Sequence, residues 1–193
     1  MFRSVLFAAA ALSLAACGQQ GSGPPLPQGE AGAINAPSEI NAPAAQGQAS
    51  LSAEERAQLE QLVRNYLDEA VRRNGGGTNP APGFSDEITD LQPGADHRWQ
   101  VDLVGGANYR ILGGCDNECA NLDIELVDAR GAVVASDLGP NDFPVVNFSP
   151  AANGRYIVRI MMQACSVAPC YAGARVMSHG GGALPAMAPA PKP

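Results

Sequence analysis

Histidine and basic residues are scarce in this chain. It has two histidines in 193 residues, and 12 lysines and arginines stand against 19 aspartates and glutamates, for a net charge of -7. An acidic chain is poorly suited to anionic lipid and to nucleic acid, and we expect no nucleic-acid partner. His97 and His179 lie in no His-Glu-x-x-His helix, and no Gly-x-Ser-x-Gly turn or phosphate-binding glycine loop is present. The sequence predicts a protein that is not an enzyme; a hydrolase that depends on His97 is the alternative.

The apolar run near the N-terminus is too short to cross a membrane. It extends from Val5 to Leu14, whereas a spanning helix needs about 20 apolar residues. With Arg3 before it and small residues after it, the run is typical of an export signal covering residues 1–16.

The end of this signal points to a lipid anchor. The tetrad Leu14-Ala15-Ala16-Cys17 resembles the bacterial lipoprotein signal, in which the cysteine is acylated and becomes the first residue of the mature protein. The resemblance implies a membrane anchor at Cys17. Gly18, where an aspartate would imply retention at the inner membrane, implies the outer membrane on its periplasmic side. An ordinary secretory signal followed by an incidental cysteine is the alternative.

Large apolar side chains are rare in residues 17–50 and 180–193. Both stretches consist mainly of Gly, Pro and Ala, with Gln and Asn in the first, and they cannot bury enough surface to offset the entropy of ordering. We predict a disordered linker of about 30 Å end to end at residues 17–50. We also predict a disordered Pro/Ala tail at residues 180–193, with a docking peptide as its alternative.

Residues 51–74 predict one amphipathic helix. Ser52 and Glu55 form a capping box, and the helix is expected over residues 53–73. Its apolar residues recur at i, i+3 and i+4 spacing, so they form one stripe. This stripe packs against the following domain, or else it serves oligomerisation or partner docking. Residues 75–83 are predicted to be a flexible Gly/Pro joint.

Residues 84–179 alternate apolar and polar side chains. Examples are Leu122, Ile124 and Leu126, and turn sequences separate such segments at short intervals. The pattern predicts a mainly β domain, an antiparallel β-sandwich of jelly-roll or immunoglobulin-like type, preceded by the one helix.

Four cysteines lie within this domain. An even number in an exported chain indicates disulfides, and three pairings are possible. We favour Cys165 with Cys170, which flank a four-residue loop, leaving Cys115 with Cys119. A zinc site formed by the four thiolates is the alternative.

One acidic loop is a candidate calcium site. Asp116, Glu118 and Asp123 follow one another closely at a junction between loop and strand, and calcium prefers oxygen ligands of this kind. No EF-hand spacing is present, and such residues are also common in turns without a metal. The sequence therefore predicts no definite cofactor and leaves calcium as a candidate.

The segment from Cys115 to Gly131, followed by Gly154-Arg155-Tyr156-Ile157-Val158-Arg159-Ile160, resembles the bacterial pre-peptidase C-terminal domain. The shared features are an Asp-x-Asp-x-x-Leu-like strand, an Asp-x-x-Gly turn and a late Gly-x-Tyr strand, over roughly residues 95–178. The resemblance implies an accessory β-sandwich that accompanies exported enzymes.

Together these features predict a lipid-anchored periplasmic binding or accessory module without catalytic activity. Its expected partners are the membrane, through the anchor, and an envelope protein or exported enzyme. The alternative is an envelope interaction protein that acts through its 53–73 helix.

Overall fold

The computed structural model describes residues 21–27 and 35–179. The predicted export signal, the acylation site Cys17 and the predicted tail at residues 180–193 lie outside the described residues.

The described part of the chain contains one helix and eleven strands. In chain order they are β1 Gly47–Gln48, α1 Ala53–Asn74, β2 Asn79–Pro80, β3 Glu87–Leu91, β4 Asp96–Leu103, β5 Asn108–Cys115, β6 Cys119–Asp128, β7 Val133–Asp137, β8 Val145–Phe148, β9 Gly154–Cys165, β10 Val167–Ala168 and β11 Cys170–His179.

Two antiparallel sheets form a sandwich. The four-stranded sheet has the order β4-β9-β6-β7, and the five-stranded sheet has the order β2-β11-β5-β8, with β3 also paired to β11. The short β1 and β10 pair with each other in parallel. This confirms the predicted fold class, an antiparallel β-sandwich preceded by one amphipathic helix.

The core lies between the two sheets and follows the predicted alternation. Leu122, Ile124 and Leu126 of β6 are completely buried, and residues of β9 and of the five-stranded sheet pack with them in one cluster. Because successive side chains point to opposite faces of a strand, the intervening residues lie on the outer faces of the sandwich.

Helix α1 covers the outer face of the five-stranded sheet. It begins with the predicted capping box, in which the backbone N–H of Glu55 donates to Ser52 and that of Ser52 donates to Glu55. Its buried residues contact strand residues in two clusters, which contain Val63, Leu67, Ile88 and Tyr171 in one and Ala70, Leu112 and Met177 in the other. The apolar stripe was expected either to pack against the domain or to serve oligomerisation or partner docking. In the structure it packs against the domain.

An arginine also joins the helix to the sheet. Arg175 of β11 donates to both carboxylate oxygens of Asp86, at 2.6 and 2.7 Å, and to Asp68 of α1 at 2.7 Å. These hydrogen bonds raise the pKa of Arg175 above its ordinary value. The arginine therefore keeps its charge and holds α1 in place on β11.

Two segments that were expected to be flexible lie against the sandwich instead. In the predicted linker, the N–H groups of Gln46 and Ala49 donate to Ser166 and Ala168 at 2.9 and 2.7 Å. In the predicted joint, β2 pairs with β11. Both segments were predicted to be flexible because they contain few large apolar side chains. Backbone hydrogen bonds to neighbouring strands hold them instead, and composition does not reveal such bonds.

Both predicted disulfides are present. Cys115 is bonded to Cys119 and Cys165 to Cys170, each with a Cα–Cα distance of 6.0 Å. Each bond lies where the chain passes from one sheet to the other, since it joins β5 to β6 or β9 to β11. The two disulfides lie at the same end of the sandwich, because Cys119 and Cys165 are direct partners across β6 and β9.

Removing one disulfide should destabilise the sandwich measurably. We expect the double variant Cys165→Ala/Cys170→Ala to lose about 2 kcal/mol of unfolding free energy, the chain-entropy value for so short a loop. Urea denaturation would measure this, with Cys17→Ser as the control expected to match the parent. A disulfide variant as stable as the parent would contradict the prediction.

Candidate functional site

Three charged residues are buried together on the outer face of the four-stranded sheet. Asp96 of β4, Glu125 of β6 and Arg159 of β9 are 5%, 1% and 7% exposed. The Arg159 guanidinium donates to a carboxylate oxygen of Asp96 and to Glu125 Oε2, the latter at 3.1 Å. Charged side chains on the outer face of a sheet are normally in contact with solvent, and no local pattern in the sequence reveals the burial of these three.

Residues of the predicted linker cover this group. The backbone N–H of Ser38 donates to both carboxylate oxygens of Glu125, at 3.0 and 3.3 Å, and its carbonyl accepts from Arg159 at 2.8 Å. The carbonyl of Asn35 accepts from the N–H of Val133 on β7 at 2.8 Å. The buried charges therefore hold the chain at residue 38 against the sheet.

A second linker segment, residues 21–27, is called here the N-terminal strap. It lies along the free edge of β4, where Ser22 forms a parallel bridge with His97. The N–H of Ser22 donates to the Asp96 carbonyl at 2.8 Å, and the N–H of Arg98 donates to the Ser22 carbonyl at 2.7 Å. The strap thus extends the four-stranded sheet beyond β4.

A cleft of about 690 Å³ opens between the strap and the sheet, a volume within the range of ligand-binding pockets. One wall carries Asp96, Arg98 and Arg159, and the other includes the apolar side chains of Leu26 and Ile40. Arg98 Nε lies 3.4 Å from Asp96 Oδ1, and Arg159 is paired with Asp96 and Glu125. These charges neutralise one another, but Glu39 also lines the cleft and is exposed, so the cleft as a whole carries a net negative charge.

A serine, a histidine and a carboxylate form a chain of hydrogen bonds beside the strap. Ser22 Oγ lies 2.9 Å from His97 Nδ1, and His97 Nε2 lies 2.8 Å from Glu87 Oε1. The order of groups is that of a nucleophile, a base and an orienting acid. An acyl transfer would also need free N–H donors for the oxyanion, but the N–H groups of Ser22 and Arg98 are both bonded within the strand pairing.

Two of the predicted calcium ligands join the disulfide loops instead. Asp116 accepts from the N–H of Tyr171 at 2.7 Å and from that of Glu118 at 3.2 Å. Burial raises the pKa of Asp116, and these hydrogen bonds oppose the rise. The Glu118 carboxylate and carbonyl both accept from Ser166 Oγ. The loop closed by Cys115 and Cys119 is thereby tied to the segment that follows β9.

Asp123, the third predicted ligand, lies apart from these contacts on the outer face of β6. It is 4% exposed; its Oδ2 accepts from Gln163 at 2.8 Å, and its Oδ1 has no hydrogen-bond partner among the described residues. Within residues 21–27 and 35–179, no three His, Cys, Asp or Glu side chains are grouped so that they could hold a metal ion. The structure therefore does not bring the three predicted calcium ligands together.

The burial of Asp123 predicts a pH effect on stability. Burial raises the pKa of Asp123 above 3.8, against the hydrogen bond from Gln163. The stability due to this shift is full below pH 3.8 and is lost as the pH rises through the raised pKa. We expect Asp123→Asn, which removes the buried charge, to be more stable than the parent at pH 7 and to lose this advantage near pH 3.

Urea denaturation at both pH values, with and without added calcium, would measure this difference. Stabilisation of the parent by calcium, absent in Asp123→Asn, would instead support the predicted metal site.

In the described ranges, no helix is long and apolar enough to cross a bilayer. Searches against known protein families and curated proteins found no match to this chain. The strap and the buried charges enclose the cleft between them.

Proposed function

We propose that this protein is a lipid-anchored periplasmic module that binds a segment of an envelope protein or exported enzyme and has no catalytic activity. The observation that carries the proposal is the cleft between the N-terminal strap and the four-stranded sheet. Its walls are polar on the sheet side and partly apolar on the side of Leu26 and Ile40. An extended peptide segment, which has backbone hydrogen-bonding groups and side chains of both kinds, fits this chemistry.

The anchor part of the proposal rests on the tetrad that ends at Cys17. We expect the protein extracted from membranes to have the mass of a chain that begins at an acylated Cys17. After reduction, four thiols should become available for alkylation, because all four remaining cysteines are in disulfides. The Cys17→Ser variant is the control; a mature parent chain without lipid would contradict the anchor.

The binding part can be tested by photocrosslinking in cells. A photoreactive residue at Ile40, on the cleft, should form a defined adduct with an envelope or exported protein, while one in the exposed turn at Ala151 should not. Equal crosslinking from both positions would contradict binding in the cleft.

The same experiment tests the alternative, an envelope interaction protein that acts through its 53–73 helix. The apolar stripe of α1 is buried against the sheet, so a partner would have to bind the polar outer surface of the helix. Gln61 lies on that exposed surface. Adducts from Gln61 and none from Ile40 would favour the alternative.

The hydrogen-bonded Ser22, His97 and Glu87 favour one further candidate function, a hydrolase. A fluorophosphonate probe distinguishes it, because such probes phosphonylate serines that a neighbouring base activates. The proposed function predicts no labelling of Ser22 above that of Ser149, whose hydroxyl contacts Asn108 and no histidine. Labelling of Ser22 that is lost in His97→Ala would establish the hydrolase.

A further inference from the structure

The N-terminal strap sits in a place shaped for its own sequence. A Cβ atom on Gly21 would lie 1.4 Å from Oδ1 of Asp96, and one on Gly23 would lie 1.8 Å from the Arg98 carbonyl oxygen. Gly23 also has a φ of 106°, a conformation that side chains other than glycine disfavour. Glycine at positions 21 and 23 therefore permits this close approach to β4, most strictly at Gly23, where a Cβ would meet backbone atoms.

The side chain of Ser22 adds a specific contact with a histidine that connects the two sheets. It bonds to His97 of β4, which bonds in turn to Glu87 of β3, and the imidazole stacks on Trp99 with ring centroids 6.0 Å apart. The strap is thus attached where the edges of the two sheets meet. It is part of the folded domain, not a continuation of a free linker.

The strap also lies very close in sequence to the predicted anchor. Only four residue steps separate Cys17 from Gly21, and four steps span at most about 14 Å. Gly21 lies beside Asp96, at the beginning of β4. An acylated Cys17 would therefore be held within about 14 Å of this end of the strand.

The position of Gly21 along β4 identifies the end of the sandwich that lies near Cys17. Ser22 pairs in parallel with His97 and Gly21 lies beside Asp96, so the first described residue of the strap lies next to the turn that precedes β4. That turn is joined to the end of β9 by the hydrogen bond from Gly94 to Met162, close to the disulfide at Cys165. The opposite end of β4, at Leu103, is about 23 Å away, because seven steps of about 3.3 Å separate it from Asp96.

We infer that the strap orients the sandwich on the membrane, with its disulfide-bonded end against the lipid surface and the turns at Gly105 and Ala152 away from it. This inference rests on the proposed anchor at Cys17. It shortens the tether expected from the linker at residues 17–50 to the few residues between Cys17 and Gly21. The acidic chain has no attraction of its own to anionic lipid, so the strap sets the orientation.

Energy transfer from tryptophan to a labelled lipid tests this orientation. Trp99 is the single tryptophan of the chain, so it can be replaced by Phe and a new tryptophan placed at either end. Gln92→Trp marks the disulfide-bonded end and Ala152→Trp the opposite end; both positions are exposed. The lipidated full-length chains are reconstituted in phosphatidylcholine vesicles that contain dansyl-labelled headgroups.

We expect the transfer efficiency from position 92 to exceed that from position 152 about twofold or more, given the separation along β4. Insertion of ten Gly/Ser residues after Gly18 should lower the efficiency from position 92, since it adds about 17 Å of flexible chain. Gly23→Val should remove the difference between the two ends, while Gly47→Ala, where a Cβ has room, should preserve it.

Equal efficiencies from positions 92 and 152 in a chain that floats with the vesicles would overturn the orientation and leave the anchor intact. Failure of the parent chain to float any better than Cys17→Ser would instead overturn the anchor on which the inference rests. Thermal unfolding of Gly23→Val establishes that the sandwich is folded when its transfer is measured. If it is not, the inserted variant, which leaves the strap unchanged, decides the matter.

Discussion

Replacing Arg159 with alanine is expected to lower the free energy of unfolding by about 3–5 kcal/mol. The variant leaves the Glu125 carboxylate buried without its cation and leaves Asp96 only the longer contact with Arg98 at 3.4 Å. An unpaired buried charge is far more costly than the loss of one contact. It also removes the hydrogen bond that Arg159 makes to the Ser38 carbonyl. We therefore expect faster proteolysis in residues 35–50 of the variant.

Arg155→Ala on the same strand is the matched control. Arg155 pairs with Asp102 at 3.5 Å, and both side chains are substantially exposed, so its loss should cost less than about 1 kcal/mol. Urea denaturation of both variants measures the difference. Equal, small losses would mean that water reaches the outer face of the four-stranded sheet and that the linker does not cover it.

Leu67→Ala should have the second large effect, a loss of about 2–5 kcal/mol. Leu67 is completely buried and belongs to one cluster with Val63 and Tyr171, between α1 and the sheet. Truncation would leave a cavity there, because the sheet cannot follow the shortened side chain. The same experiment informs the choice between the two proposed functions, since a stripe reserved for a partner would not contribute to the stability of the isolated chain.

Gln61→Ala provides the control on the exposed side of the same helix, where a change within about 0.5 kcal/mol is expected. Chemical denaturation monitored by circular dichroism would compare the two variants. A Leu67→Ala protein that is as stable as Gln61→Ala but no longer crosslinks to a partner would support the helix as the functional surface.

Among the candidate functional residues, those with a local signature were predicted and those without one were missed. Spacing alone identified the cysteine pairs, because a disulfide across four or five residues needs only a tight loop. Asp116 and Glu118 were predicted as calcium ligands from their place in an acidic turn, but their partners, Tyr171 and Ser166, are about fifty residues away. Their role in joining two loops therefore could not be inferred from the turn in which they lie.

The buried group of Asp96, Glu125 and Arg159 was missed for a related reason. Each residue lies on a different strand at a position that alternation assigns to the outer face, and charge on an outer face normally indicates solvent. They are buried because three strands pair and because residues 35–38 lie over them. The sequence around each of the three residues contains no sign of either. The N-terminal strap was missed because low hydropathy describes the side chains only, whereas the strap is held by backbone hydrogen bonds and by glycine's small size.

The sequence by itself determined the helix at residues 53–73 with its capping box, the alternation that makes strands, the antiparallel sandwich and the disulfide pairs. These depend on neighbours within a few residues, where propensity, periodicity and loop length act directly. Only the tertiary structure decided that the apolar stripe of α1 is buried against the sheet, that part of the predicted linker belongs to the domain, and that the cleft exists. These features depend on which strands become neighbours, and that is set by the packing of the whole chain.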